Sequence, residues 1–284
     1  MNIIVTGANG LIGYELCKLL SSSYNVFAIS RSNPNIIGVE FIKLNFNKEI
    51  DFEKLPKSID VIYHLVQSDK FRNFPESAIE LYTVNTLSTL RLLEYARKKD
   101  CIKFVYASSG GVYGNSESAF SEESPVLNNQ DLGSYIGSKL CSEIMTDNYK
   151  SYFDIIITRF FFVYGKRQNK TMLIPRLVDN IKNGKEIILQ GDGGLSLNPI
   201  HVNDASQVLM KILELNGCHK FNIGGEQVLS IKEISDIIGE KLGKIPIYLF
   251  KKSISVNLIG DITKMKSLLT TPKIRFEEGI EELL

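Results

Sequence analysis

The sequence is poor in the residues that build metal centres and disulfide frameworks. Its four cysteines, Cys17, Cys101, Cys141 and Cys218, are far apart and form no CxxC pair, and its three histidines are equally scattered. Structural zinc sites and disulfide-rich folds need closely spaced ligands or paired cysteines. We therefore expect reduced, partly buried thiols, no metal ion and a cytoplasmic location.

An excess of charge of one sign and a long apolar run are also missing. There are 33 Lys and Arg against 32 Asp and Glu among 284 residues. Nucleic-acid and anionic-membrane binding usually require a basic patch, so neither partner is expected. No apolar stretch approaches the roughly 20 residues that span a bilayer. The N-terminus opens directly into a strand-like run, without the basic, apolar and cleavage regions of a signal peptide.

The first half of the chain alternates short β-branched runs with longer amphipathic segments. Strands are predicted at 3–6, 24–30, 39–44, 60–66, 102–108 and 154–159, and helices at 11–22, at 75–99 and from about 134. Strands that are apolar throughout and separated by helices indicate a parallel sheet covered on both faces. Crossover handedness then predicts an α/β fold with a doubly wound parallel sheet.

The second half is less regular. We expect a helix at 174–183, a strand at 186–189, a glycine-rich turn at 191–194, a helix from 203, a strand at 221–223 and a helix capped by Ser230. The predicted organisation is a dinucleotide-binding Rossmann domain over 1–160 and a smaller α/β substrate lobe over 161–284. This lobe is interleaved with the sheet through return segments at about 186–210.

A glycine-rich turn, TGANGLIG, stands where the first strand meets the first helix. Gly7 allows the tight turn, Gly10 lets the backbone approach a pyrophosphate, and Gly13 permits close packing of helix on strand. The free N–H groups at the helix start favour a phosphate. Its position directly after an apolar strand makes the turn a specific signal for a dinucleotide.

The second strand ends in Ser30-Arg31-Ser32, where dinucleotide-binding folds often carry an acidic residue for the ribose 2′-hydroxyl. Arg31 can pair with a 2′-phosphate, and either serine can donate to it. This pattern favours NADP, with NAD as the alternative.

Tyr135 and Lys139 are four residues apart in a predicted helix and therefore share one face. A nearby cation lowers the pKa of a phenol from its usual value of about 10. The fifth strand runs into a hydroxyl-rich turn at its carboxyl end, where ligands bind in open α/β sheets. The pair is predicted to exchange protons during hydride transfer at a carbinol or ketone carbon, beside a serine that bonds the substrate oxygen.

The motifs together resemble a known family. The segments are TGANGLIG, VNTLSTLRLLE, SSGGVYG, YIGSK, RFFFVYGKRQ, ILQGDGGLSLNPIHVNDA and FNIGGEQVLSIKEI, in this order, and they span nearly the whole chain. The chain resembles the extended short-chain dehydrogenases/reductases, in the broad NAD-dependent epimerase/dehydratase group that acts on nucleotide sugars.

The resemblance implies a role for each matching residue. Tyr135 is the expected acid/base, Lys139 its partner and Ser109 the catalytic hydroxyl, while Asn85 matches the asparagine of the central helix. The expected cofactor contacts are Gly7, Asn9, Gly10, Leu11, Ile12, Gly13, Ser30, Arg31, Ser32, Asn45, Leu65, Val66, Asn85, Tyr135 and Lys139. The resemblance also implies a nucleotide-sugar substrate and a homodimer formed through the helices that contain residues 75–99 and 134–150.

Departures from the family pattern narrow the chemistry. Family dehydratases carry an Asp-Glu pair after the serine or threonine, and relatives that epimerise beside a ketone carry a cysteine at the second of these positions. Here Gly110 and Gly111 stand there, and neither can move a proton. Plain hydride transfer remains, either as net reduction of a ketosugar or as oxidation and return to the opposite face.

Two further departures affect the expected substrate site, which comprises Ser109, Gly110, Phe162, Arg176 and Leu197. Relatives often have Arg at the position of Leu197 and Asn at that of Phe162. The lost positive charge has four candidate replacements, each of which could equally be a solvated surface residue: Arg176, Lys166, Arg167 and Lys170.

Three functions follow in order of preference. The first is an NADPH-dependent reductase of a nucleotide-linked 4-keto-6-deoxysugar, motivated by Arg31 and by the missing carboxylates and cysteine. The second is an NAD-dependent nucleotide-sugar 4-epimerase. The third is a dinucleotide-binding sensor or scaffold without catalysis, which the presence of both Tyr135 and Lys139 disfavours.

Overall fold

The computed structural model describes residues 1–127, 132–253 and 257–284. The strands are β1 (Asn2–Thr6), β2 (Asn25–Ser30), β3 (Val39–Lys43), β4 (Val61–His64), β5 (Lys103–Ser109), β6 (Asp154–Phe160), β7 (Val163–Tyr164), β8 (Glu186–Gln190), β9 (Ser196–Leu197), β10 (Ile200–His201), β11 (His219–Ile223), β12 (Leu229–Ser230), β13 (Ile247–Lys251) and β14 (Asn257–Leu258). The helices are α1 (Leu11–Leu20), α2 (Ala78–Tyr82), α3 (Ser88–Lys98), α4 (Gly133–Asp147), α5 (Leu173–Lys182), α6 (Val202–Lys211), α7 (Ile231–Leu242), α8 (Thr263–Leu268) and α9 (Phe276–Gly279).

A seven-stranded sheet forms the centre of the molecule, in the order β11-β6-β5-β4-β1-β2-β3, with every neighbouring pair parallel. One face packs against α1, α6 and α8 in a core that includes Leu16, Leu209 and Met265. The other face packs against α3 and α4, through residues such as Leu92 and Met145. Because both faces are covered, the inner strands β1, β4 and β5 are buried along almost their whole length, whereas the edge strand β3 exposes Glu40 and Lys43. The predicted doubly wound α/β fold is confirmed.

The sheet changes direction between β1 and β4. The chain builds β1, β2 and β3 towards one edge, then returns to lay down β4, β5, β6 and β11 towards the other. Two neighbouring strands whose connections leave in opposite directions open a crevice at their carboxyl ends, and ligands of open α/β sheets bind there.

The predicted helix at 75–99 is α2 and α3 joined by a π turn, Thr83–Leu87. Asn85 lies in this turn and is 1% exposed. Its Oδ1 accepts a hydrogen bond from the Ser68 amide at 2.8 Å, and its Nδ2 donates to Ser138 Oγ at 2.9 Å. A π turn re-aims one side chain within a helix. Asn85 thereby joins this helix to α4 and to the loop after β4.

The smaller lobe has a core of its own, built around α5 and α7. Ile174, Leu197, Ile234 and Phe276 are among its buried members. It contains the parallel pair β8–β13 and the small sheet β12-β9-β14. The predicted cap of α7 is present as a capping box, in which Ser230 and Glu233 each bond the other's backbone amide.

The chain returns from the smaller lobe to the sheet over residues 200–223. Here α6 packs on the sheet beside α1, and β11 adds the last strand next to β6. The predicted return at 186–210 starts earlier than the one observed, because β8 pairs with β13 and buries alternate side chains in the smaller lobe. Strand β8 therefore belongs to that lobe.

None of the helices in the described parts of the chain combines the length and apolar character needed to cross a membrane.

Candidate active site

A cleft of about 860 Å³ runs along the carboxyl ends of the central strands. Arg31 and Asn45 line one end, and Tyr135, Phe162 and Leu258 line the other. Its volume is typical of sites that bury a large ligand. The cleft thus follows the crevice that the sheet topology opens.

The glycine-rich turn forms the floor of this cleft and fits a dinucleotide. Gly7 has a φ of +69°, and a Cβ there would lie 3.0 Å from the backbone of Val66. A Cβ on Gly13 would lie 2.3 Å from the Gly7 carbonyl oxygen. Helix α1 starts at Leu11 without a side-chain cap, so its first N–H groups are free to bind phosphate.

At the far end of the cleft, Arg31 pairs with an acidic residue. Its Nη2 lies 3.1 Å from Asp69 Oδ2, and both side chains are more than half exposed. Ser32 Oγ accepts a hydrogen bond from Asn9 Nδ2 at 2.8 Å, and Ser30 Oγ donates to the Ser32 carbonyl at 2.6 Å. The guanidinium proposed for a 2′-phosphate is therefore engaged by a carboxylate, which repels phosphate.

Tyr135, Lys139 and Ser109 meet at the opposite end. Lys139, on α4, donates from Nζ to the Ala107 carbonyl at 2.8 Å. Ser109, at the end of β5, accepts the Gly111 amide on Oγ at 3.1 Å. Tyr135 donates its phenol proton to Gln67 Oε1 at 3.2 Å. The three predicted residues share the cleft with the glycine turn.

Burial changes the pKa of both members of the Tyr–Lys pair. It raises the pKa of Tyr135 to about 12, although a hydrogen bond with Ser109 and the charge of Arg72 oppose the rise. Burial lowers the pKa of Lys139 to about 8, opposed by the negative charge of Glu143. The expected lowering of the phenol pKa by Lys139 does not appear in this structure, where the Lys139 ammonium donates to the Ala107 carbonyl instead.

A segment that the sequence analysis did not single out lies over Tyr135. It comprises residues 67–72 and is here called the cover segment. The centroids of the Phe71 and Tyr135 rings are 4.7 Å apart. Arg72 Nη1 donates to the Thr171 carbonyl at 3.1 Å and so joins the segment to the smaller lobe. Neither residue belongs to a motif. The one feature of the sequence that could have pointed to them is their position shortly after the fourth strand, because ligands bind at that edge of an open α/β sheet.

Glycines fill the two positions where dehydratases carry carboxylates, and the space beside them is closed. A Cβ on Gly110 would lie 2.5 Å from the Phe161 ring. One on Gly111 would lie 2.5 Å from Ile136 Cδ1. Packing as well as sequence therefore excludes a second acid or base at this point.

The cleft brings together most of the predicted site residues. Those that line it are Gly7, Asn9, Gly10, Leu11, Ile12, Gly13, Ser30, Arg31, Ser32, Asn45, Leu65, Val66, Ser109, Tyr135, Lys139 and Phe162.

Four predicted residues lie elsewhere. Asn85 stands behind the wall of the cleft, where it positions other residues, and Gly110 is buried against Phe161. Leu197 is 0% exposed in the core of the smaller lobe, so its side chain faces other apolar groups. Arg176 is exposed on α5, outside the cleft. Leu197 stands where relatives often have an arginine, and its apolar side chain packs in the core because burial there is more favourable than exposure to water.

Of the four cations considered as replacements for the lost positive charge, Arg167 lines the cleft and the other three do not. Arg167 Nη2 donates to Asn9 Oδ1 at 2.9 Å, and its guanidinium lies 3.9 Å from the centre of the Tyr14 ring. A cation from the smaller lobe thus stands above the start of α1.

Residues 3–224 match the model of the NAD dependent epimerase/dehydratase family. This chain belongs to that family. Its resemblance to the extended short-chain dehydrogenases/reductases is confirmed, and the chain is an enzyme of this type. As a member of the family, it is an enzyme of the epimerase/dehydratase kind that acts on nucleotide sugars and depends on a nicotinamide dinucleotide.

Relatives similar to this chain include nucleotide-sugar epimerases and dehydratases. An uncharacterized UDP-glucose epimerase of Bacillus subtilis is 30% identical, over 99% of this chain and 96% of its own length. A UDP-glucuronate 4-epimerase of Thermodesulfobacterium geofontis is 28% identical, over 98% of this chain and 93% of its own length. Among solved structures, the UDP-glucuronic acid 4-epimerase of Bacillus cereus, in complex with UDP-glucuronic acid and NAD, is 29% identical, with a TM-score of 0.87 over 99% of this chain and 97% of that one.

Proposed function

We propose that this family member is an NAD-dependent nucleotide-sugar 4-epimerase. It would oxidise the hydroxyl at carbon 4 of the sugar to a ketone and then reduce the ketone from the opposite face. The observation that carries this proposal is the set of proton-moving groups at the Tyr135 end. A phenol, an ammonium and a serine hydroxyl stand there, while Gly110 and Gly111 are closed off by Phe161 and Ile136. Such a site supports hydride transfer, and among the described residues it offers no carboxylate at the two positions that dehydratases use for elimination.

The choice of NAD rests on the far end of the cleft. Asp69 neutralises Arg31 and would repel a 2′-phosphate, whereas a 2′-hydroxyl can donate to its carboxylate. The solved relative described above was determined in complex with NAD, which supports the same choice. An epimerase also suits NAD, because the cofactor is regenerated within each cycle. The NADPH-dependent reductase thereby becomes the second reading.

In this mechanism Tyr135 takes the proton from the carbon-4 hydroxyl as the ketone forms and gives a proton back to the oxygen on the return. Bound NAD would supply the hydride acceptor and donor. Lys139, four residues away on the same helix face, favours the phenolate when its ammonium is free of the Ala107 carbonyl. Ser109 would hold the sugar oxygen beside Tyr135. Each proton and hydride that leaves the sugar returns to it, so the reaction needs no external oxidant.

We propose that the nucleotide sugar lies towards the smaller lobe, with residues 161–284 as its main binding unit. Phe162, Met172 and Leu173 come from that lobe and line the same end of the cleft as Tyr135. Arg167 stands at the glycine turn, so it would face the pyrophosphate of the bound dinucleotide near the start of α1.

The experiment that tests the function is incubation of purified enzyme with a panel of UDP- and dTDP-sugars, without added cofactor, followed by product analysis by NMR. We expect interconversion of 4-epimers, and its loss in Tyr135→Phe, which should still bind NAD. Consumption of NADPH with a 4-keto sugar and no epimerisation would support the reductase. Full activity in Tyr135→Phe would refute the acid/base assignment, and binding of NAD without turnover of any sugar would favour a sensor.

We also propose that two copies associate through α2, α3 and α4. Ile79, Tyr82, Leu87 and Leu90 form an exposed apolar strip on the first two of these helices and the turn between them, and Ile79 is 85% exposed. Contiguous apolar surface of this kind marks an interaction site.

A further inference from the structure

The phenol of Tyr135 already has a hydrogen-bond partner in the place that a substrate needs. A sugar hydroxyl that exchanges its proton with Tyr135 must approach the phenol oxygen to about 2.6–3.2 Å. Gln67 Oε1 stands at 3.2 Å from that oxygen and accepts its proton. We propose that Gln67 is a substrate-binding residue. Without substrate, its Oε1 occupies the position that the reacting sugar oxygen takes beside the Tyr135 phenol. When the sugar binds, it displaces the Gln67 side chain from Tyr135, and Gln67 then forms a hydrogen bond with the reacting oxygen.

The displacement requires movement of one side chain. The backbone next to Gln67 is fixed, because the Ser68 amide donates to the buried Asn85 side chain at 2.8 Å. The other end of the cover segment is tied to the smaller lobe through Arg72. The Gln67 side chain itself is exposed. Rotation about its own bonds can therefore free the phenol while the segment stays in position.

A carboxamide suits both states of the sugar in the proposed cycle. Its oxygen accepts from a hydroxyl and its nitrogen donates two hydrogens, so the same group can bond the carbinol and the ketone. Within the described residues, the amide nitrogen of Gln67 makes no hydrogen bond, and the contact with Tyr135 uses only the oxygen. The nitrogen is thus available to donate to a carbonyl beside Tyr135. Ser109 can approach the same oxygen, since its side chain lines the cleft together with Tyr135.

The ligand that Gln67 recognises is therefore a sugar carbon that alternates between hydroxyl and ketone. This inference rests on the proposed role of Tyr135 as the acid/base. It adds a binding residue from a segment outside the family motifs described above.

The test compares Gln67→Ala and Gln67→Glu with wild type, using Gln207→Ala as the matched control. Gln207 is exposed on α6, away from the cleft. In steady-state assays, Gln67→Ala should raise KM for the nucleotide sugar roughly three- to tenfold, with a smaller change in kcat, as expected for one lost hydrogen bond. Calorimetric titration of UDP-sugar into NAD-loaded Tyr135→Phe, with and without Gln67→Ala, should give the same loss of affinity.

Gln67→Glu separates a substrate contact from a merely structural role. A carboxylate accepts from the phenol and opposes the phenolate, so the pH of half-maximal activity should move upwards, although the charge of Arg72 still favours the phenolate. An unchanged KM and affinity in Gln67→Ala, together with an unmoved pH profile in Gln67→Glu, would overturn the inference. Failure of the proposed function has a different signature in the wild-type enzyme, which is reduction that consumes NADPH or no turnover of any sugar. Full activity in Tyr135→Phe would remove the acid/base role on which the inference rests.

Discussion

Lys139 is only 3% exposed. A charged ammonium that is removed from water lowers the free energy of unfolding of the protein. The Lys139 ammonium has the Ala107 carbonyl as a partner, and the negative charge of Glu143, itself paired with Arg159, opposes the lowering of the Lys139 pKa. Burial nevertheless lowers the pKa of Lys139 from 10.5 to about 8. Such a cost is typical of functional sites, where a group is retained for chemistry.

Lys139→Met should therefore abolish turnover and stabilise the protein. At pH 7 the native state holds a charge that the unfolded state solvates better, so the substitution should raise the unfolding free energy by up to about 3 kcal/mol. The gain should shrink between about pH 8 and pH 10.5, as Lys139 becomes neutral in both states. Urea unfolding at several pH values measures this. A variant less stable than wild type at pH 7 would contradict the account.

The Arg31–Asp69 pair makes a second prediction at the scale of single residues. Asp69→Asn removes the carboxylate that engages Arg31, so the guanidinium becomes available to a 2′-phosphate. We expect the ratio of NADP to NAD affinity to rise by about tenfold, equivalent to ~1.4 kcal/mol. Cofactor fluorescence titration measures the ratio, and Asp192→Asn, exposed in the smaller lobe, is the control. A ratio that stays at the wild-type value would remove Asp69 from cofactor selection.

At the scale of elements, the junction of β1 and α1 depends on the absence of side chains. A Cβ on Gly13 would lie 2.3 Å from the Gly7 carbonyl oxygen, so the helix and the turn could not keep their present distance. The same contact holds the free N–H groups of α1 at the floor of the cleft.

Gly13→Ala should lower NAD affinity at least tenfold and destabilise the protein by roughly 1–3 kcal/mol, the usual cost of overpacking. Gly137→Ala is the control, because a Cβ on that helical glycine meets its nearest atom, Tyr82 Oη, at 3.8 Å. It should raise stability by about 0.5–1 kcal/mol. Thermal unfolding and NAD titration of both variants test the pair, and equal effects of the two substitutions would refute the packing argument.

Local structure was predictable where its cause is local. The turn before α1, the helix that carries Tyr135 and Lys139, and the Ser230 cap are each fixed by neighbouring residues. The cover segment was missed because Gln67 meets Tyr135 across 68 positions of sequence. No periodicity or spacing encodes such a contact. Leu197 turned inward for a similar reason, since its direction depends on the core of a lobe whose packing is not readable from a motif.

At the scale of the whole molecule, the two parts are interleaved, since the chain leaves the seven-stranded sheet after β6 and returns to it through α6 and β11. Loop ends from both parts therefore meet over one cleft. The predicted return at 186–210 missed this boundary because β8 has the alternating pattern of a half-buried strand, and alternation does not reveal which lobe the strand joins.

The prediction for the whole molecule concerns the association of two copies of the chain. Leu90→Asp places a carboxylate in the apolar strip of α2 and α3, and should convert a dimer to monomers, because an unpaired charge is costly in an apolar interface. Leu268→Asp, on an exposed leucine of α8, is the control and should leave the dimer intact. Light scattering coupled to size exclusion gives the masses. A wild-type protein that is monomeric at assay concentration would contradict the proposal.

The most direct test of the central claim follows the hydrogen on carbon 4. The enzyme is incubated with a nucleotide sugar deuterated at that carbon, without added cofactor, and both epimers are analysed by mass spectrometry and NMR. A 4-epimerase that removes and returns the same hydride should give a product with deuterium fully retained at carbon 4. Loss of deuterium to solvent, or turnover that occurs only with stoichiometric NADPH, would contradict the account.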